Sequence, residues 1–202
     1  MNEELHTRAG KARSLRGAAL LEELLAVPFV DRDAFVDALL GIDEVPDDSK
    51  DLPRESVSYL PCGVEEILAM VREAPLTSAD QFVDLGSGVG RVAMLAHLLT
   101  GARASGIELQ PHLVELARSR SSGLGLSAVT FCVGDVTKSE LEGTAFFLYA
   151  PFSGEMLARA LARIEVVARR KRVVVCAVGL ELQVPWLRAR KTSCVSLMLY
   201  DG

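Results

Sequence analysis

The 202-residue chain lacks any apolar run approaching the roughly 18 residues that a membrane span needs. Its first residues, MNEELHTRAGKARSLRG, also lack the apolar centre of a secretory leader. No membrane segment is expected, and a cytoplasmic location is the default. The four cysteines, Cys62, Cys132, Cys176 and Cys194, are scattered without Cys-x-x-Cys spacing, two of them in apolar runs that read as strands, and they are expected to be reduced and mostly buried. Neither they nor the three histidines, His6, His97 and His112, show metal-type spacing, so no metal site is expected. Positive charge is in deficit as well. With 22 Lys and Arg against 27 Asp and Glu the net charge is -5, which argues against a generic electrostatic grip on nucleic acid. The one basic run, Arg169, Arg170, Lys171 and Arg172, reads as a solvated turn. No internal repeat or low-complexity tract is present.

What the chain does contain is apolar residues, half of its length, enough for one well-buried domain with an accessory segment. Residues 1–14 are polar and small and are expected to be frayed or disordered. Leu15, Ala18, Ala19, Leu21, Leu24 and Leu25 then recur at helical spacing until Pro28. A second helix is expected from Asp31 or Asp33 to Gly41. The acidic, twice proline-interrupted stretch IDEVPDDSKDLPRES reads as a linker. From residue 62 onward helices and strands alternate, which predicts an α/β fold: a Rossmann-like, largely parallel sheet flanked by helices, with a small N-terminal helical appendage. The expected division is 1–58 for appendage and linker and 59–202 for the α/β domain. After the β-branched strand RVVVCAV there is room for a final strand or hairpin and little for a further full helix.

The stretch FVDLGSGVGR, residues 82–91, carries the strongest chemical signal. Gly86, Gly88 and Gly90 fall at a strand-to-helix turn, where the backbone must bend tightly and approach a ligand without side chains in the way. A pyrophosphate-binding turn of this kind runs Gly-x-Gly-x-x-Gly. Here the spacing is Gly-x-Gly-x-Gly, and Asp84 stands just ahead of the loop. A carboxylate there repels a pyrophosphate and suits a ligand with an ammonium group or hydroxyls. The next strand ends in Glu108 and Leu109, where a nucleotide-binding α/β fold places the acid that accepts bonds from ribose hydroxyls. The third ends at Asp135, which can accept from an adenine amino group, with Val136 and Cys132 as apolar neighbours. Three consecutive strands thus bring acids to the carboxyl edge of the sheet, where open α/β sheets bind ligands. Taken singly, Glu108 can also be a helix N-terminal acid and Asp135 a loop cap.

DLGSGVG, GIEL and VGD resemble the motifs of the class I S-adenosylmethionine-dependent methyltransferases, over residues 60 to about 180. The resemblance implies S-adenosylmethionine as cofactor, with Gly86, Ser87, Gly88 and Gly90 passing beneath its methionine part and Asp84 holding the cationic amino-acid end. It further implies Glu108 and Leu109 at the ribose, and Asp135 and Val136 at the adenine. SVSYLPCGVEEILAMV is similar to the Tyr-x-Pro lead-in of small protein-lysine methyltransferases, including those that modify an ATP-synthase subunit. DLGSGVG and the same region are similar, more distantly, to the non-SET histone-lysine methyltransferases. In such proteins this segment folds over the cofactor, which would make Tyr59 and Pro61 a lid. The other reading is that Tyr59 packs under the appendage.

YAPFSGEM stands where amino-methylating enzymes of nucleobases carry Asn or Asp before Pro-Pro-Tyr or Pro-Pro-Phe, and its departure from that pattern argues against a nucleobase acceptor. Tyr149 and the backbone at Pro151 are then expected beside the transferred methyl, with Phe152 as a wall. His97 reads as structural, His112 as at most a flank of the ribose site, Glu155 as a helix-terminal charge, and Phe146 and Phe147 as sheet core. The function expected is methyl transfer to an amine, either a protein lysine or a small molecule, by in-line displacement. A non-catalytic cofactor-binding interaction module and a small-molecule O-methyltransferase remain as alternatives. The Gly-x-Gly-x-Gly spacing and Asp84 disfavour a nicotinamide-dependent oxidoreductase. The N-terminal 60 residues are the expected region for acceptor selection; oligomeric state is not legible.

Overall fold

The computed structural model describes residues 3–202 apart from 43, 45, 50, 51, 53–55, 57 and 151. In chain order its elements are α1 (Glu3–Ala12), α2 (Gly17–Leu25), α3 (Arg32–Leu40) after a short 3-10 turn, α4 (Val64–Glu73), β1 (Gln81–Leu85), α5 (Arg91–Thr100), β2 (Arg103–Glu108), α6 (Pro111–Gly123), β3 (Val129–Val133), β4 (Ala145–Tyr149), α7 (Gly154–Ala168), β5 (Val174–Val178), β6 (Arg188–Arg190) and β7 (Leu197–Asp201). The boundaries follow local chemistry. Pro111 opens α6, where its missing N–H costs nothing. Gly41 closes α3 in the left-handed conformation, which glycine adopts without a Cβ penalty. None of these helices is long and apolar enough to cross a membrane.

The seven strands form one sheet in the order β3-β2-β1-β4-β5-β7-β6. The first five in that order are parallel, and β7 runs antiparallel to both β5 and β6. The chain reverses direction across the sheet between β1 and β4, so the carboxyl ends of β1, β2 and β4 open a crevice there. The expected final hairpin is β6–β7.

Because side chains alternate across a strand, the sheet carries two apolar layers. On one face Phe82, Ala104, Phe131 and Phe147 meet helices α1 to α6 in one continuous cluster. On the other, Val83, Leu85, Phe146 and Val175 meet α7 and the loop before β6. Phe146 and Phe147 are therefore both core, one on each face. The N-terminal helices share the first cluster: Leu20 and Leu24 of α2 and Phe35, Val36 and Leu39 of α3 are fully buried in it.

Two expectations are corrected here. Residues 3–12 are not frayed but form α1, which packs on α3 and buries Ala9 and Ala12. Its two small residues one turn apart let the helix approach closely, a pattern too short to register as apolar periodicity. Arg8 bonds Glu23, and Arg13 bonds the carbonyls of Ala38 and Leu39 at the end of α3. The cysteines, second, are not mostly buried: Cys62 and Cys176 are, but Cys132 lies on an uncovered part of the sheet and Cys194 is half-exposed.

Gly90 sets the spacing between α5 and the sheet. Its φ of 83° lies in the left-handed region, and a Cβ there would collide with the Phe131 ring. The variant Gly90→Ala is expected to lose about 2 kcal/mol or more, from backbone strain and the collision together. Urea unfolding measures it, and an unchanged midpoint would show that the turn does not demand glycine.

Candidate functional site: the carboxyl edge of the sheet

The chain leaves β1 at Leu85 and must start α5 at Arg91, so five residues reverse the backbone. Three of them, Gly86, Gly88 and Gly90, have φ of 84°, 50° and 83°. The turn's own N–H groups are largely spoken for. Those of Gly86 and Ser87 both donate to the Ile107 carbonyl of β2, and that of Gly90 donates to the Ser87 carbonyl. The Gly88 N–H donates to Glu108 Oε2 at 2.9 Å. A nest of free N–H groups for a phosphate is therefore absent from this turn, which agrees with the reading of Asp84.

Asp84 is buried beneath the turn. The Ala93 N–H, in the first turn of α5, bonds its carboxylate, and Oδ2 has no partner. Burial, together with the negative charge of Glu108, pushes its pKa up to about 8. A buried carboxyl with one orphaned oxygen is costly unless a ligand completes it. Glu108 is buried too, and its oxygens accept the N–H groups of Gly88 and Gln110, each at 2.9 Å. Each oxygen keeps a lone pair for a further donor. Asp135 is more exposed. Its Oδ1 accepts the Thr137 hydroxyl and N–H, and Lys138 pairs with Oδ2 at 2.9 Å; these partners hold its carboxyl below the usual range. Asp135 thus caps its own loop and also faces the cleft.

The segment before α4 closes the crevice from above. The Tyr59 ring lies directly on Gly88, where a Cβ would occupy the space of the ring, and burial pushes its hydroxyl up to about 12. The Tyr59 ring thus lies against the glycine turn and also packs on the apolar cluster that the N-terminal helices share. Farther back, Ser56 makes an isolated antiparallel bridge to Phe152 just after β4. Two residues not singled out in the sequence anchor this segment. The Tyr59 N–H and the Gln110 side-chain amide each donate to Asp48 Oδ1 at 2.9 Å, and Ser49 N–H donates to Gln110 Oε1 at 2.6 Å. Burial pushes the Asp48 carboxyl up, but these bonds outweigh it and hold it below the usual range. Nothing in the acidic linker distinguishes Asp48 from its neighbours until the chain folds back onto α6.

The cleft has a volume of about 170 Å³, and its lining is mostly apolar. Among the residues expected at the site, Tyr59, Gly86, Glu108, Leu109, Asp135, Val136, Tyr149 and Phe152 line it. A small side chamber of about 20 Å³, sharing Tyr59, Gly86 and Tyr149, adds Asp84, Ser87, Cys62 and Arg91. Gly88 sits under Tyr59, and Gly90 faces Phe131 and Ala117 rather than the cleft. Pro151 lies outside the described residues. Cys132 does not line the cleft; its thiol donates to the Gly106 carbonyl of the neighbouring strand β2 at 3.7 Å. His112 does not line the cleft but contacts the Asp47 carbonyl, and His97 contacts the Ala102 carbonyl within the helix-to-strand turn. Ala150, which lines the cleft after β4, has a φ of 37°, a strained conformation for a residue with a Cβ and one that no sequence signal announces.

Residues 76–148 match a family model described as a methyltransferase domain. The chain is 29% identical over 131 residues to a protein-L-isoaspartate O-methyltransferase of Ignicoccus hospitalis, covering 59% of this chain and 62% of that protein. Over 65 residues it is 43% identical to the adenine nucleotide translocase lysine N-methyltransferase of Mus musculus, covering 32% of this chain and 27% of that protein. The chain therefore spans less than two thirds of the length of these relatives. In fold it is similar to an RNA methyltransferase of Salinibacter ruber crystallised with S-adenosylhomocysteine, with a TM-score of 0.58 and 24% identity over 70% of this chain and 92% of that one.

The buried Asp84 has a consequence for pH. Its native pKa of about 8 lies above the ordinary 3.8, so the native state holds a proton that the unfolded chain releases. Its contribution to stability is complete below pH 3.8 and is lost as pH rises through about 8. Asp84→Asn is therefore expected to gain stability relative to wild type across that interval, most of all at its upper end. Urea unfolding at a series of pH values reads the gap, and a constant gap would contradict the buried, unpartnered carboxyl.

Proposed function

We propose that this chain is a class I S-adenosylmethionine-dependent methyltransferase, a reading supported by the methyltransferase-domain match over residues 76–148, and that it transfers a methyl group from S-adenosylmethionine to an amine, either a protein lysine or a small molecule. The observation that carries the cofactor assignment is the orphaned, buried Oδ2 of Asp84, which wants a cationic donor of the kind an amino-acid ammonium supplies. Asp84 takes that ammonium, with Gly86 and Ser87 beneath the methionine part. Glu108 takes the ribose hydroxyls on the lone pairs its backbone donors leave free. Leu109 and Val136 face the adenine, and Asp135 accepts from its amino group. The exposed Lys138 gives way there at little cost, as surface ion pairs do. In this reading residues 59–202 form the cofactor-binding unit, and residues 1–58 form the appendage and the segment leading into the lid.

The cofactor supplies a methyl group on a sulfonium, an activated leaving group that a neutral amine displaces in line. The chain's task is to admit the acceptor as the free amine, to orient it and to keep water out. Tyr149, Ala150, Phe152, Leu60 and Met156 provide an apolar wall that disfavours an ammonium and favours its conjugate base. Burial raises the Tyr149 hydroxyl above its usual pKa, so it stays a neutral phenol that can accept an N–H of the amine. Among the described residues no cationic side chain lines the larger cleft. A hydroxyl acceptor would call for a base beside the transferred methyl, and neither His97 nor His112 lines the cleft, which supports the amine over the O-methylation alternative.

Calorimetry with S-adenosylmethionine, S-adenosylhomocysteine and NAD tests the premise; binding of NAD alone would overturn it. Asp84→Ala and Glu108→Ala are each expected to weaken cofactor binding by about 1–3 kcal/mol, the range for an unpaired buried partner. Proton release on binding near pH 7, read from titrations in buffers of different ionisation enthalpy, is expected in wild type and absent in Asp84→Asn. For the acceptor, radiolabelled methyl transfer into fractionated extract should give a base-stable product. Base-labile label would mark a methyl ester and reject the amine.

A further inference from the structure

Arg91 ends the glycine stretch and opens α5, where the helix dipole disfavours a cation. Its side chain is nonetheless 4% exposed, and two separate segments, α3 and the residues before α4, meet on its guanidinium. Nη2 donates to Asp33 Oδ1 at 2.8 Å and to the Asp33 carbonyl at 3.0 Å. Nε lies 3.1 Å from Asp37 Oδ1, close enough for an ion pair though not aligned as a hydrogen bond. Nη1 donates to the Cys62 carbonyl. Asp33 Oδ1 also accepts the Val64 N–H, which opens α4. Helix α3 therefore grips residues 62–64 both directly and through Arg91.

We infer that Arg91 is a positioning residue through which α3 of the N-terminal segment sets the lid over the cofactor cleft. Cys62 stands three residues beyond Tyr59, and Arg91 three residues beyond Gly88, on which the Tyr59 ring rests. Among the described residues, no backbone–backbone hydrogen bond holds 58–62. The Arg91 bond to Cys62 and the Asp48 bonds to the Tyr59 N–H and the Ser58 side chain are polar tethers of that stretch, and the Arg91 bond is the one at its α4 end. Cys62 and Arg91 also wall the small chamber beside Asp84. A lone ion pair between helices would need only the aspartates; the donation to Cys62 extends its action to the lid. The inference rests on the cofactor reading given above, and it assigns the N-terminal segment a part in cofactor binding as well as any part in acceptor choice.

Removing Arg91 alone leaves two aspartates uncompensated, so Arg91→Met is also expected to lose stability. The deciding variant is Arg91→Met combined with Asp33→Asn and Asp37→Asn, which removes the charges together. It is expected to regain most of the lost stability in urea while binding S-adenosylhomocysteine about tenfold more weakly than wild type, the weight of roughly one hydrogen bond. Arg91→Lys, which keeps the charge but not the planar fork, is expected to fold like wild type and to show the same loss of affinity. A second readout needs no ligand: the buried Cys62 should be labelled faster by a maleimide in both variants, as read by peptide mass spectrometry. Wild-type affinity and unchanged Cys62 labelling would make Arg91 purely an inter-helix brace and overturn the inference. Faster Cys62 labelling in a chain whose wild type does not bind S-adenosylhomocysteine would reject the cofactor reading and leave the tether established.

Discussion

The turn from β1 into α5 is the constraint from which the rest of the site follows. Five residues reverse the chain only because Gly86, Gly88 and Gly90 enter the left-handed region, and Gly88 and Gly90 use the missing Cβ for more than conformation. The space at Gly88 receives the Tyr59 ring, and that at Gly90 receives Phe131 from β3. Gly106 in β2 completes the arrangement by leaving room for both Ser87 and Phe131. A side chain at any of these positions would separate the helix or the lid from the sheet.

Around this turn a ring of contacts closes. Gly88 donates to Glu108, the Gln110 backbone donates to the same carboxylate, the Gln110 side chain donates to Asp48, and Asp48 accepts the Tyr59 N–H. The Tyr59 ring then returns to Gly88. The loop beneath the cleft and the lid above it are thereby linked through the acid proposed to read the ribose. Under the proposed reading, a ligand hydroxyl on Glu108 would compete with or reinforce bonds that also shape the segment above the cleft.

The electrostatics are divided with similar economy. Asp84 has no cationic partner among the described residues, and its Oδ2 is without a hydrogen bond, the place that the proposed ammonium would fill. Arg91, a few residues away in sequence, is turned from Asp84 towards Asp33 and Asp37. Were Arg91 to pair with Asp84, the chamber would be neutralised from within and a cationic ligand would gain little. Helix α3 prevents this by supplying the guanidinium with its own counter-charges, which ties the appendage to the chemistry of the cleft.

The sequence by itself determined the alternation of helices and strands from residue 62, the glycine turn and the acids Asp84 and Glu108. Apolar periodicity, glycine conformation and carboxylate chemistry are local properties, and they are written in consecutive residues. It did not reveal α1, because two buried alanines in a polar helix leave no apolar stripe. Nor did it single out Asp48, Gln110, Ala150 or the role of Arg91. Asp48 becomes an anchor only when the linker folds back onto α6, and Arg91 becomes a tether only when α3, α5 and residue 62 converge. Those contacts join residues far apart along the chain, and only tertiary packing decides which of many similar charged residues finds a partner.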